Sequence, residues 1–222
     1  MNFFGHAVVA GWFESEPRFV LGSMLPDFAT MSGTRLAGVG DGRVAAGVAL
    51  HLRTDDAFHS APRFLALSAI AREALEQRAV GWGTARAVAH VGTELLLDGV
   101  LLTRHASEPY VDALEAAHAL GQADAAAFAF RDQGAGFPVL LQRLREAGPP
   151  HAYREPERVA EFLERALSRR PRLCFQPGER ELVAQVLHEL APHVEAGASE
   201  LMTHLRQHEL LQPDPSHATT AR

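Results

Sequence analysis

The sequence predicts an all-α chain folded as one domain, on three observations. The 222 residues are 47% apolar, enough to bury a sizeable core, and the length suits one domain or at most two small ones. The apolar residues are mainly Ala, Leu and Val at helical intervals, while the β-branched and aromatic alternation typical of strands is scarce. Pro and Gly are spread between the periodic segments, where they act as punctuation.

Taken in order, the periodicity predicts helices near 2–12, 17–25, 43–59, 61–78, 83–104, 107–119, 122–130, 136–147, 155–169 and 178–211. The stretch Ser32 to Gly42 is too rich in Gly to be regular and reads as a mobile loop near His51; its glycines lack phosphate-loop spacing. Pro149-Pro150 separates a longer front part from a back part, but both are helical and neither looks independent, so 1–211 is read as a single domain. Pro192 removes a backbone donor inside the last helix and should kink or break it. Residues 212–222, with two prolines and small polar residues, read as a disordered tail.

Composition also narrows function. A formal charge of −6 argues against a general nucleic-acid binder, which needs clustered positive charge. All 21 basic residues are arginine, so a P-loop lysine and Schiff-base chemistry are excluded. The single cysteine, Cys174, cannot form an internal disulfide, which points to a reducing compartment. The apolar start, Met1 to Trp12, carries no basic leader and contains His6, unlike a secretory signal. With no uninterrupted apolar span of about 18 residues, a soluble cytoplasmic protein without a membrane span is expected. Its oligomeric state stays open.

Four constellations could carry chemistry. His51, Asp55 and His59 share one face of a predicted helix; at about 1.5 Å rise per residue, His51 and Asp55 are about 6 Å apart at the backbone and His51 and His59 about 12 Å. The three cannot all be equivalent ligands of one ion. Arg86, His90, Glu94 and Asp98 form one stripe on an otherwise apolar helix, which either looks out at solvent or lines an internal polar site. Such triplets also arise by chance in a chain with 27 acidic residues and 12 histidines, and Glu200, His204 and His208 repeat the spacing on a polar helix, where a solvated face is expected. His6 and Asp27 are isolated polar residues in apolar surroundings, each by itself more typical of a satisfied core histidine and a turn or cap. Pooled with His51 and Asp55 they offer a ligand set suited to Mn²⁺, Mg²⁺ or Fe. Arg169, Arg170 and Arg172 cluster at a helix end stopped by Pro171, where they either complement the helix dipole or recognise a phosphate or an acidic partner.

In this order the features resemble the acyl carrier protein phosphodiesterases of the HD superfamily. Asn2-Phe3-Phe4-Gly5-His6 is similar to that family's NFxxH opening, and its later blocks are matched by Leu25-Pro26-Asp27-Phe28, His51-Leu52-Arg53-Thr54-Asp55, Glu94 with Asp98, and Ser168-Arg169-Arg170-Pro171-Arg172-Leu173. The resemblance implies an HD-like helical bundle and a divalent metal, typically Mn²⁺, with Mg²⁺, Fe²⁺ or Zn²⁺ also compatible. It further implies cleavage of the phosphodiester joining 4′-phosphopantetheine to a carrier-protein serine. On this reading His6, Asp27, His51, Asp55 and Asp98 form the ligand pool, Glu94 or His59 shuttles a proton, Arg53 steadies charge on phosphate, and Arg169, Arg170 and Arg172 receive an acidic carrier protein. The chain departs from the family at His59, where Asp is usual, and at His90, where no ligand-type residue is expected. The alternatives are a related helical phosphohydrolase acting on a nucleotide or phospholipid head group, and a non-catalytic helical binding module.

Overall fold

The computed structural model describes residues 1–124, 127–132 and 134–212. In chain order these form α1 (Phe3–Ala10), α2 (Pro17–Met31), β1 (Leu36–Val39), α3 (Gly42–His59), α4 (Pro62–Gln77), α5 (Trp82–Arg104), α6 (Glu108–Ala123), β2 (Phe128–Phe130), α7 (Gly136–Ala147), α8 (Pro156–Leu167) and α9 (Glu179–Gln207). Single 3-10 turns occupy His151–Arg154 and Glu209–Leu211. The fold is all-α, as the composition predicts, with one short two-stranded ribbon as the exception among the described residues. The tail expected at 212–222 lies, from 213 onward, outside the described residues. Among the described residues no helix is long and apolar enough to cross a membrane.

The small and aliphatic residues of α5 explain its place at the centre. From Thr84 to Leu101 it is buried on most of its surface, packed by α1, α4, α8, α9 and the His151–Arg154 turn. A helix apolar nearly all round has no stable place at the surface. Its one polar stripe therefore has to be accommodated within the fold, which makes α5 the element that carries charge inward.

Helices α2 and α3 meet backbone to backbone, and this geometry follows from two glycines. A Cβ on Gly22 would strike the Val44 carbonyl of α3, and one on Gly47 would strike the Phe19 carbonyl of α2. Bare backbones meet there, so side chains just beyond the crossing are brought close together. Both helices are capped at their starts: Glu16 accepts from the Phe19 N–H, and Asp41 accepts from the N–H groups of Arg43 and Val44.

Four local expectations need correction. Helix α2 does not stop at residue 25 but continues through Pro26 to Met31. Pro removes only one hydrogen bond, and burying Phe28 and Ala29 beyond it sustains the helix. Residues 128–130, assigned to a helix, pair antiparallel with Leu36–Val39 from the Gly-rich stretch expected to be irregular. Phe128 and Phe130 both turn onto Phe137, with ring centroids 5.3 and 4.9 Å away, a period-two arrangement hidden in sequence by the surrounding alanines. The last helix is not broken at Pro192; α9 runs from Glu179 to Gln207, with Val186, Leu187 and Leu190 buried before the proline and Val194, Ala198 and Leu201 after it. Helix α8 ends at Leu167, so Arg169, Arg170 and Arg172 lie beyond it rather than in its last turn.

Candidate metal centre

Three helices that are separate in sequence bring His6 of α1, Asp27 of α2 and His51 of α3 together. One ligand-type atom from each lies within 4.8 Å of the others. The imidazoles of His6 and His51 stack with centroids 4.0 Å apart, and His6 Nε2 is 4.0 Å from Asp27 Oδ2. The continuation of α2 past Pro26 is what carries Asp27 to this point, and the glycine crossing is what lets α3 reach it. His51 Nδ1 lies 2.8 Å from the Ser23 carbonyl. Since a carbonyl only accepts, the proton sits on Nδ1 and the Nε2 lone pair is turned to the group, the usual way a backbone oxygen fixes a ligating histidine.

Asp55, one turn beyond His51, stands at the edge of this group. Its Oδ1 is 3.1 Å from His6 Nε2 and 2.8 Å from the amino nitrogen of Met1, and its Oδ2 is 3.6 Å from His51 Nε2. Burial, with the neighbouring His51, lowers the His6 pKa to about 3; burial also lowers that of His51. Burial thus favours the neutral form of both rings, the form that can ligate a metal. Burial acts to raise Asp55, but the His6 hydrogen bond and the Met1 ammonium prevail and hold it below the usual carboxylate range. Burial pushes Asp27 well above that range against the pull of the Met1 ammonium, with Asp55, Glu94 and Asp98 adding to the rise. Two buried atoms in this group, His6 Nδ1 and Asp27 Oδ2, have no hydrogen-bond partner. A carboxyl oxygen left unpaired beside two imidazoles is a donor set that fits a divalent cation, which would displace the proton that burial favours on Asp27.

A second group forms where α3 ends against α5. His59 Nε2 and His90 Nε2 lie 2.9 and 3.2 Å from the same oxygen, Oε1 of Glu94. Their rings stack at 4.8 Å, and the edge of Phe64 meets each of them. These three residues also offer ligand-type atoms within 4.8 Å of one another. Burial opposes ionisation of Glu94, yet the Met1 ammonium, His59 and His90 together hold it below the usual range. The Met1 nitrogen, 3.3 Å from Glu94 Oε1 and 3.5 Å from His59 Nε2, touches this group as well as Asp55. The mouth is open: side-chain exposure is 24% at Asp27, 30% at Asp55, 34% at His59 and 47% at His90.

The two readings left open for the α5 stripe are both realised. Arg86 is exposed, with its guanidinium over Trp82, and His90 is half in solvent; Glu94 and Asp98 are buried. Asp98 is not brought into either group. Its Oδ2 accepts from Asn2 Nδ2 and the Phe4 N–H, and its Oδ1 from the Gly5 N–H, so it anchors the start of α1 and positions His6. Burial raises its pKa to about 7 despite those three donors.

The expected arginine roles fare differently. Arg53 is exposed and donates to the Leu210 carbonyl, away from both groups, because two residues of offset from His51 and Asp55 place it on the far side of α3. Arg169, Arg170 and Arg172 are exposed, and Arg170 lines a cleft of about 500 Å³ with Arg35, Arg131, Asp132 and Thr34. The sequence reading missed His90 as a partner of Glu94, although the pair already stood four residues apart in the stripe. It also missed the Ser23 carbonyl and the Met1 nitrogen, for which sequence offers no signal.

Comparison of the chain with protein-family models, with curated proteins and with solved structures finds no match.

Proposed function

We propose that this chain is a metal-dependent phosphodiester hydrolase and, more narrowly, that it releases 4′-phosphopantetheine from a holo-acyl carrier protein. The observation that supports the reading best is the meeting of His6, Asp27 and His51 from three helices, with a buried carboxylate oxygen left unpaired among them. A non-catalytic module with its polar stripes on exterior faces fits poorly with the near-complete burial of His6 and His51.

His6, Asp27 and His51, with Asp55 beside them, would hold the ion. A divalent ion, Mn²⁺ in the family that the sequence resembles, supplies Lewis acidity at a phosphoryl oxygen and an acidified water, so no side-chain nucleophile is required. The chain's own residues do the positioning. The Ser23 carbonyl orients His51, Asp98 fixes the turn that bears His6, and the His6 hydrogen bond with the Met1 ammonium favours the ionised form of Asp55. The open side at Asp27, Asp55 and His59 leaves room for a phosphodiester projecting from a larger molecule. Arg170, with Arg35 and Arg131 around its cleft, is the cationic surface suited to an acidic carrier.

The test is turnover of a holo-acyl carrier protein and of a small aryl phosphodiester by protein loaded with Mn²⁺. Release of apo carrier with free 4′-phosphopantetheine, lost in His51→Ala, is the expected result. Hydrolysis of the small diester alone would remove the carrier-protein reading, and no hydrolysis of either with Mn²⁺, Mg²⁺, Fe²⁺ or Zn²⁺ would remove the enzymatic one. Arg170→Glu should slow the carrier reaction and flatten its salt dependence while sparing the small diester, because steering by exposed charge acts only on a charged macromolecular partner.

A further inference from the structure

We propose that His59, His90 and Glu94 hold a second divalent ion, so that the centre is binuclear. This deepens the metal-dependent reading above and rests on it.

Three features distinguish the group from an ordinary helix-surface pair. His90 and Glu94 alone would be an i, i+4 contact of a common kind. Here His59 arrives from a different helix and turns its Nε2 to the same Glu94 oxygen, at 2.9 Å against 3.2 Å for His90. The stacked imidazoles, 4.8 Å apart, are held by Phe64 at 5.5 and 5.2 Å, so both rings are restrained in the orientation that points their Nε2 atoms inward. Finally, Glu94 is buried on the central apolar helix, and its Oε1 is the single oxygen on which both imidazoles converge, with the Met1 ammonium 3.3 Å away. Two imidazoles and one carboxylate form a three-ligand set that leaves a position free for water or substrate.

The position of the group argues for a shared centre. Asp55 contacts His6 and His51 on one side, and the Met1 nitrogen 2.8 Å from Asp55 Oδ1 is the same atom that lies 3.3 Å from Glu94 Oε1. A single atom thus lies against both groups, which puts them side by side. A proton relay, the role the sequence suggested for His59 or Glu94, needs one imidazole and gives no reason for His90 to face the same oxygen. Two adjacent ions would clamp both the attacking and the leaving oxygen of an in-line displacement at phosphorus.

The experiment uses the full chain, stripped by chelation and reloaded with Mn²⁺ or Zn²⁺, with elemental analysis for stoichiometry and electron paramagnetic resonance of the Mn²⁺ form. Two equivalents per chain and a spin-coupled Mn²⁺ signal are expected in the parent. His90→Ala and the near-isosteric Glu94→Gln should each fall to one equivalent with an uncoupled signal, and circular dichroism establishes that they fold. One equivalent in the parent, lost in His51→Ala and kept in His90→Ala, would overturn the second site and leave the first. Two equivalents retained by both His90→Ala and Glu94→Gln would place the second ion elsewhere and equally overturn it. No bound metal in the parent would remove the underlying metal-dependent reading itself.

Discussion

Helices α3 and α9 both begin a run of ligand-type residues at four-residue spacing, as α5 also does, and the fold treats these two runs differently. In α3, His51, Asp55 and His59 each meet a group from another segment: Ser23 and His6, the Met1 nitrogen, and Glu94. In α9, Glu200 is exposed and loosely paired with Arg63 at 3.8 Å. His204 and, one residue past the end of α9, His208 meet each other at 5.3 Å, and His208 caps the following turn by accepting from the Leu210 N–H. Spacing supplied both helices with the same residue types. What differs is whether other helices deliver complementary groups to that face.

The sharpest way to test this contrast is to remove one histidine from each helix. His51→Ala should lose metal at the first group and bring hydrolysis to background, whereas His204→Ala should keep both metal content and turnover. The thermal midpoint gives a second readout. Free ion at 100 times its dissociation constant stabilises the parent by about 2.7 kcal/mol, a shift of about 2–4 °C per kcal/mol for a domain of this size. His51→Ala should lose most of that shift and His204→Ala none.

Asp98→Asn probes how the α3 side of the comparison is supported. Replacing one acceptor oxygen by an amide leaves an N–H of α1 facing a donor, at a cost of about 1–3 kcal/mol, and misplacing His6 should weaken metal binding by about 10–100-fold. There is also a pH signature in metal-free protein. Burial raises the Asp98 pKa from 3.8 to about 7 on folding, so the folded chain keeps a proton that the unfolded chain releases within that window. The residue's stabilising contribution is fully present below pH 3.8 and is lost as the pH rises through about 7. Denaturant titrations across that range should show a downward stability slope in the parent that is shallower in Asp98→Asn; equal slopes would mean that Asp98 does not titrate there.

Gly47→Ala should act at the α2–α3 crossing without touching a ligand-type side chain. The added methyl group meets the Phe19 carbonyl, and forcing the helices apart should cost about 1–3 kcal/mol. Because the crossing also sets the contact between Ser23 and His51, metal affinity should fall together with the unfolding midpoint. A loss of stability with unchanged affinity would separate the crossing from the site.

The smallest effect belongs to Glu200→Ala. An exposed pair at 3.8 Å contributes little, and stability should change by no more than about 0.5 kcal/mol. A larger change, or any loss of metal, would show that the α9 triplet is more than a surface face.

Helix existence and most helix starts were legible because they depend on neighbours within one or two turns: apolar periodicity, Pro at a first turn, and the capping carboxylates of Glu16 and Asp41. The titratable stripes on α3 and α5 were legible for the same reason. The sequence alone could not rank those stripes against Glu200, His204 and His208, nor show that Asp98 holds the backbone of α1 while His90 turns to Glu94. It also could not tell a strand from a helix at Phe128–Phe130, where the deciding partner, Leu36–Val39, is remote along the chain. Local hydrogen bonding and side-chain periodicity fix elements, so one segment carries the information for them. Convergence of His6, Asp27 and His51 depends on how closely α1, α2 and α3 pack, and that distance is set only when Gly22 and Gly47 bring two backbones into contact.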